Sequence, residues 1–189
     1  MYMLYLLKLY LDGLEEIGVK RLWTVVGRAD AVPVLAHAGD AGAHQQLYRI
    51  IPKTLSYAYL GKKLPLHGGG KSKRSFIHSN DFTDAIFKII NSNLVKEEYN
   101  FSTQEEISIS ELVERICQLT KIDKDKIIRY GPERPGKDMF YRMDINKAKL
   151  LLNWEPQTSL EKGLFLVNEW IQDVFPKLSK ESWSYEHRN

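Results

Sequence analysis

The sequence predicts an α/β fold of short strands and amphipathic helices from residue 49 onward. Two observations carry this prediction: strand-like apolar runs alternate with helical patterns, and the helices begin at well-defined capping signals. One capping box spans Ser108 to Glu111, and a second spans Thr158 to Glu161. Because local signals and hydrophobic pattern agree along this stretch, it is expected to form an internally consistent lobe.

The first predicted elements lie between residues 52 and 81. A helix over residues 52–60 has a proline in its first turn and ends at the following glycine. Residues 64–66 and 75–78 are apolar enough for two strands. The second strand leads into an amphipathic helix, which we expect Asn80 or Asp81 to cap, since either side chain can accept from exposed amides.

The later elements continue the same alternation. Strands are predicted over residues 99–102 and 126–130, on either side of the helix that the first capping box opens. Asp144 is placed to cap a short helix. The last helix follows the second capping box and is expected to end at Pro176, since proline interrupts a helix.

The composition changes near residue 48. Residues 27–46 are rich in alanine and glycine, whereas lysine, isoleucine and leucine dominate from Tyr48 onward. Such a shift is typical of a boundary. We therefore predict two parts: an atypical N-terminal segment, residues 1–48, whose fold the sequence does not define, and a lobe over residues 49–189.

The composition limits the class of protein and its partners. The 43% hydrophobic and 27% charged content is typical of a globular protein. A net charge of +3, with acids interleaved among the bases, does not favour nucleic acid as a partner. The apolar run at residues 1–11 is too short to span a bilayer and contains Lys8, so we expect no membrane association and a cytoplasmic location.

Cysteine and histidine usage bears on redox and metal chemistry. The one cysteine, Cys117, excludes an internal disulfide and lies on the apolar face of a predicted helix, as a buried structural thiol would. The five histidines have no metal-ligand spacing, so no metal site is predicted.

Two short patterns resemble chemical motifs without their structural setting. Gly70 to Ser72 ends like a phosphate-binding loop, but Pro65 stands where a glycine is required and a strand follows. Tyr59 and Lys63 have the spacing of a catalytic Tyr/Lys pair, but Gly61 breaks the helix between them. No glycine-rich dinucleotide fingerprint follows a strand, so no catalytic and no cofactor-binding residue is predicted.

A series of motifs nevertheless resembles a known family. From residue 49 to 189 the chain resembles the C-terminal substrate-binding part of the extended short-chain dehydrogenases/reductases, the NAD-dependent epimerase/dehydratase family. Within that family it is most similar to the dTDP-glucose 4,6-dehydratases, and residues 1–48 match no part of it. The motifs lie at residues 50–53, 61–68, 74–81, 99–100, 134–138, 152–156 and 183–186.

The resemblance implies a set of residues that bind a nucleoside-diphosphate sugar. Two arginine forks, Arg74 and Arg134, would hold the diphosphate, since guanidinium groups bind phosphate through several charge-assisted hydrogen bonds. Glu133 and Lys137 replace the family's usual Asp and His. The full substrate-binding set is Arg49, Pro65, His67, Arg74, Asn100, Arg134, Lys137 and Tyr185.

The resemblance also implies a parent reaction, the NAD-dependent dehydration of dTDP-glucose or a similar hexose to the 4-keto-6-deoxy sugar. The chain has neither the family's catalytic Tyr/Lys helix nor most of its Rossmann domain, so we expect it to supply substrate binding only and to bind no NAD alone. The alternatives are a stand-alone nucleotide-sugar binding or regulatory lobe, a nonfunctional remnant, or a parent nucleotide-sugar epimerase or decarboxylase. A homodimer is a further alternative for its assembly.

Overall fold

The computed structural model describes residues 49–92, 98–133, 135–136 and 138–178, without the side chains of residues 177 and 178. The helices in these ranges are α1 Ile50–Leu60, α2 Ser79–Asn91, α3 Ile109–Thr120, α4 Lys124–Ile127, α5 Asn146–Leu152 and α6 Leu160–Leu178. The strands are β1 Leu64–His67, β2 Lys73–Arg74, β3 Ile107–Ser108 and β4 Ile128–Gly131. The predicted class, α/β with short strands and amphipathic helices, is confirmed.

The described residues divide into two compact units. The first unit contains residues 75–92, 98–106 and 142–160, and so includes α2 and α5. The second unit contains the described residues of 49–74, 107–141 and 161–178, and so includes all four strands with α1, α3, α4 and nearly all of α6.

The second unit contains two small sheets over an apolar core. β1 and β4 pair in parallel, with Leu64 opposite Ile128 and His67 opposite Gly131. β2 and β3 pair antiparallel, with Arg74 opposite Ile107. One core cluster joins α1, β1, α3 and α4 through the buried side chains of Ala58, Leu64, Leu66, Val113, Cys117 and Ile127.

Cys117 belongs to this core as the sequence predicts. Its side chain is buried, and burial raises the pKa of its thiol. A thiol held protonated in apolar surroundings is a poor nucleophile, so Cys117 has a structural role.

The first unit is organised around Trp154. Its ring contacts Phe101 edge-on at 4.8 Å between centroids, and its indole Nε1–H donates to the backbone carbonyl of Asp81 over 3.0 Å. The cluster that contains Trp154 comes from α2, α5, residues next to these two helices and the segment after residue 98: Ile77, Ala85, Ile89, Tyr99, Phe101, Ile145, Ala148, Leu152 and Trp154.

The first predicted capping box is present in full. The Ser108 hydroxyl accepts from the Glu111 amide over 3.1 Å, and the Glu111 carboxylate accepts from the Ser108 amide over 3.0 Å. The hydrogen bonds from Ser108 lower the pKa of Glu111. The N-cap of α5 is Ile145 and not Asp144 as predicted. Asp144 lies one residue earlier, where its carboxylate accepts from the Asn146 amide over 2.8 Å.

Two predicted strands are not formed within the described residues. Residues 75–78 and 99–102 form no ladder there, and the nearby strand is instead the two-residue β2 at Lys73–Arg74. Their apolar side chains, such as Ile77 and Phe101, are buried as predicted. A strand assignment requires a hydrogen-bonded neighbour, which an apolar run alone does not supply.

The predicted ends of two helices also differ from the structure. α2 is capped by His78, whose Nδ1 accepts from the Asn80 amide over 3.2 Å, and neither Asn80 nor Asp81 is the cap. α6 continues through Pro176 to Leu178. Asp81 is free for another role because His78 already caps the helix.

A turn of three glycines joins β1 to β2. Gly68, Gly69 and Gly70 all have positive φ, between 59° and 68°, a region that side chains with a Cβ rarely adopt. Gly70 also packs tightly: a Cβ there would lie 2.8 Å from the Ser110 amide nitrogen near the start of α3. The structure thus confirms a glycine-rich turn between strands in place of a phosphate-binding loop.

Replacing Gly70 with alanine is expected to lower the free energy of unfolding by about 2 to 3 kcal/mol, because backbone strain and a clash with backbone coincide. Gly61→Ala is the matched control: its φ is +61°, but no atom lies within 4 Å of an added Cβ. We expect the control to cost about 1 kcal/mol. Urea unfolding measures both, and equal costs would contradict the close approach at Gly70.

Candidate functional site

The candidate site is the loop of the second unit between β4 and Met139, together with the strand ends that contact it. The loop starts beside His67, the last residue of β1. The Nδ1 of His67 lies 3.1 Å from the carbonyl oxygen of Pro132. Since a carbonyl can only accept, Nδ1 must carry the proton and donate. Pairing of β1 with β4 places this histidine at the loop, because His67 is opposite Gly131.

The other end of the loop is held by β2. The guanidinium of Arg74 donates to the carbonyl of Asp138 over 2.8 Å and to that of Lys73 over 2.6 Å. The Lys73 amide donates to the carbonyl of Met139 over 2.8 Å. Pro132 and Asp138 are therefore anchored to the ends of two different strands.

Glycines allow the close approach of chain segments in this region. A Cβ at Gly131 would lie 3.4 Å from Nδ1 of His67, so the ring rests directly on the end of β4. A Cβ at Gly68 would lie 1.7 Å from a carboxylate oxygen of Glu133. Glu133 thus folds over the glycine turn, a contact that depends on Gly68 lacking a side chain.

Three of the eight predicted site residues lie around this loop or on the strand beside it. Arg74 and His67 anchor its two ends, and Pro65 lies on the same, less buried side of β1 as His67. The opposite side of β1 is fully buried through Leu64 and Leu66. The alternation of β1 therefore directs Pro65 and His67 away from the core.

Two of the other five predicted residues are described, and both lie away from this loop in the sequence. Arg49 immediately precedes α1, where its carbonyl accepts from the Lys53 amide over 2.9 Å. Asn100 is exposed and lies in the first unit, between the buried Tyr99 and Phe101. Three predicted residues lie outside the described ranges: Arg134, Lys137 and Tyr185.

The Tyr59 and Lys63 side chains take separate structural roles. Tyr59 donates from its hydroxyl to the Asn168 side chain over 2.7 Å, and Lys63 donates to the backbone carbonyl of Asp125 over 2.8 Å. Gly61 ends α1 between them in the left-handed conformation. Although the two residues have the spacing of a catalytic pair, they do not share one continuous helix, which agrees with the prediction from Gly61.

The first unit contains a cavity of about 320 Å³ that holds none of the predicted residues. Its walls are the segments 103–105 and 156–160 with Phe76. The Asp81 carboxylate orders one wall, since it accepts from the Gln157 amide over 3.1 Å and from the Thr158 amide over 3.0 Å. The Asp81 side chain therefore binds the segment before α6 and does not cap α2.

Sequence reasoning missed the contacts that hold the loop. Pro132 and Asp138 contribute only backbone carbonyls, and no side-chain pattern announces such acceptors. The packing of Glu133 on Gly68 also depends on tertiary structure.

In the part of the chain that the structure describes, no helix combines the length and apolar character that crossing a bilayer requires. The same ranges hold no group of three histidine, cysteine or carboxylate side chains arranged to bind a metal ion.

Comparison with known proteins identifies the family. Residues 31–166 match the family model described as GDP-mannose 4,6 dehydratase, and the chain belongs to this family of extended short-chain dehydrogenases/reductases. The match begins upstream of the boundary that the sequence predicts at residue 48.

Three relatives illustrate the similarity. A trifunctional UDP-glucose 4,6-dehydratase, 3,5-epimerase and reductase from Arabidopsis thaliana is 33% identical over 84% of this chain and 24% of its own length. A dTDP-glucose 4,6-dehydratase from Haemophilus influenzae is 32% identical over 76% of this chain and 46% of its own. The crystal structure of a Bacillus anthracis dTDP-glucose 4,6-dehydratase in complex with NAD aligns with a TM-score of 0.62 and 32% identity, over 67% of this chain and 40% of that one.

The chain thus spans less than half the length of each of these relatives. The Bacillus anthracis enzyme holds NAD, and the glycine turn among the described residues of this chain does not form a cradle for a dinucleotide. This turn leads from β1 into β2 and not into a helix, and Gly70 packs on the backbone of Ser110, which leaves no space for a pyrophosphate there.

Proposed function

We propose that residues 49–189 bind a nucleoside-diphosphate sugar, and that the Pro132–Asp138 loop with Arg74 and His67 forms the nucleotide-diphosphate part of the site. The family membership and the names of the relatives, which act on UDP-glucose and dTDP-glucose, support this substrate class. The chain itself would bind the substrate. The parent reaction would be the 4,6-dehydration of a nucleotide sugar.

The observation that carries the proposal is the attachment of Arg74 to the loop. Its two recorded hydrogen bonds use two of the five N–H groups of a guanidinium, one on each terminal nitrogen. The other three N–H groups, which include that of Nε, would bind phosphate oxygens. Because Asp138 and Lys73 hold the guanidinium by their carbonyls, it is oriented before a ligand arrives.

Arg134 and Lys137 fall in the same loop sequence, between Pro132 and Asp138. We propose that they add positive charge beside Arg74, so that two arginines meet one diphosphate. Pro65 and His67 would line the base. Arg49, Asn100 and Tyr185 are proposed to contact the ribose, the sugar or the base, as the family resemblance implies.

The proposal includes no turnover by this chain alone. The described residues offer no dinucleotide cradle, and Tyr59 and Lys63 are engaged elsewhere. Binding energy from a distant nucleotide drives catalysis only where an oxidant and an acid–base pair are also present. The cytoplasmic location and the homodimer stay predictions.

Isothermal titration calorimetry of the full chain with dTDP-glucose and UDP-glucose tests the proposal. We expect a dissociation constant in the micromolar range, equivalent to about −8 kcal/mol, for at least one of them. Absence of heat with both sugars would overturn the binding role. Formation of a 4-keto-6-deoxy sugar by chain supplied with NAD would overturn the claim of no turnover.

Replacing Arg74 with glutamine is expected to weaken binding about 10- to 100-fold, since hydrogen bonds to charged groups contribute about 1.5 to 3 kcal/mol each. Lys71→Gln is the matched control, because it removes the same charge from the exposed end of the glycine turn. We expect the control to weaken binding less than about threefold. Equal losses in the two variants would show that overall charge, and not the Arg74 fork, governs binding.

A further inference from the structure

The second ring nitrogen of His67, Nε2, is a hydrogen-bond acceptor in the neutral ring, because Nδ1 donates to Pro132. Nδ1 lies 3.1 Å from the Pro132 carbonyl oxygen, so in the neutral ring the proton is on Nδ1. Nε2 then carries a lone pair and can only accept a hydrogen bond. Within the described part of the chain, the structure records no hydrogen bond to Nε2.

The surroundings hold the ring against the end of β4. Gly131 lies directly under it, at a distance that would put a Cβ 3.4 Å from Nδ1. The pairing of β1 with β4 fixes the backbone at both residues, since His67 and Gly131 are opposite one another. His67 is half-buried on the less buried side of β1, so part of this residue is open to solvent.

A nitrogen that can only accept distinguishes nucleobases by whether their ring nitrogen carries a hydrogen. Uracil and thymine carry a hydrogen on N3, and guanine carries one on N1, so each can donate to Nε2. Cytosine and adenine present an unprotonated ring nitrogen on the corresponding edge, and two facing acceptors repel. A site built to accept one hydrogen bond therefore rejects the base that cannot donate it.

We infer that Nε2 of His67 accepts the ring N–H of the base and makes this site selective for uridine, thymidine or guanosine diphosphates over cytidine and adenosine diphosphates. The inference rests on the proposed nucleotide-sugar site and adds a specificity-determining residue to it. The role is one of recognition, and no chemical step passes through the ring.

The test compares UDP, CDP and the N3-methylated analogue of UDP as ligands of the full chain by titration calorimetry. UDP is expected to bind at least about tenfold more tightly than either of the others, which corresponds to the loss of one hydrogen bond. N3-methyl-UDP removes only the donor, so it separates the hydrogen bond from other features of cytosine.

Two variants of the same residue isolate the nitrogen responsible. The amide of His67→Asn can still donate to Pro132 but lacks a distal group, so we expect weaker UDP binding and no preference between UDP and CDP. The amide of His67→Gln reaches the distal position and can rotate to accept or donate, so we expect it to bind UDP and CDP with similar, intermediate affinity.

The outcomes separate this inference from the proposed function. Equal binding of UDP and CDP by the unmodified chain would overturn the role of Nε2 and leave the diphosphate site intact. An unchanged preference for UDP in His67→Asn would also overturn it. Failure of all three nucleotides to bind would overturn the proposed function and this inference together.

Discussion

Replacing Trp154 with alanine is expected to lower the free energy of unfolding by about 3 to 5 kcal/mol, the range for removing a large aromatic side chain from a core. Trp154 is 1% exposed and contacts Phe101 edge-on at 4.8 Å. Its indole N–H also binds the Asp81 carbonyl, so the variant leaves that buried acceptor without its donor. The loss follows from a cavity and a broken hydrogen bond at one position.

Urea unfolding followed by circular dichroism measures this effect. Phe165→Ala is the control, since this aromatic is 50% exposed on α6 and its removal is expected to cost less than about 1 kcal/mol. Trp154→Phe retains a ring and loses the N–H, and we expect about half the full cost. This second variant keeps the test informative if the alanine variant does not fold. A cost at Trp154 no larger than at Phe165 would contradict the central position of the indole.

Replacing Asp81 with alanine is expected to cost about 3 kcal/mol, because two backbone amides lose a charged acceptor. The carboxylate is buried and accepts from Gln157 and Thr158, immediately before α6. Asparagine does not restore both bonds, since its amide group would face one N–H with another. We therefore expect Asp81→Asn to recover less than half of the loss.

Asp84→Asn is the control on the same helix. Asp84 is exposed and pairs with Lys88 one turn away, an arrangement that contributes about 0.3 to 0.5 kcal/mol. The difference in urea midpoint between the two positions measures the tertiary role of Asp81. Similar midpoints for the Asp81 and Asp84 variants would show that Asp81 acts only locally, as a helix-start residue.

Local structure was predictable where the signal itself was local. The capping box at Ser108 and Glu111 forms within four residues, and Gly61 ends α1 through its own backbone conformation. The sequence did not predict the features that depend on tertiary contacts. Residues 75–78 and 99–102 have strand-like patterns but no ladder in the described ranges, and the Asp81 carboxylate binds amides 76 and 77 positions away.

The candidate site shows the same division. Arg74 and His67 were identified by resemblance to the family, and the structure places both at one loop of the second unit. That the loop is fastened by the carbonyls of Pro132 and Asp138 could not be predicted, because every residue has a carbonyl. The tautomer of His67 likewise follows only from its acceptor.

The most direct measurement of the central claim is the amide NMR spectrum of the 15N-labelled chain during titration with dTDP. We expect saturable shift changes in the second unit, at the amides of His67, Lys73, Gly131 and Gly136, around the ends of the loop. Changes confined to residues 103–105 and 157–160 of the first-unit cavity, or no changes at all, would contradict a nucleotide-diphosphate site at this loop.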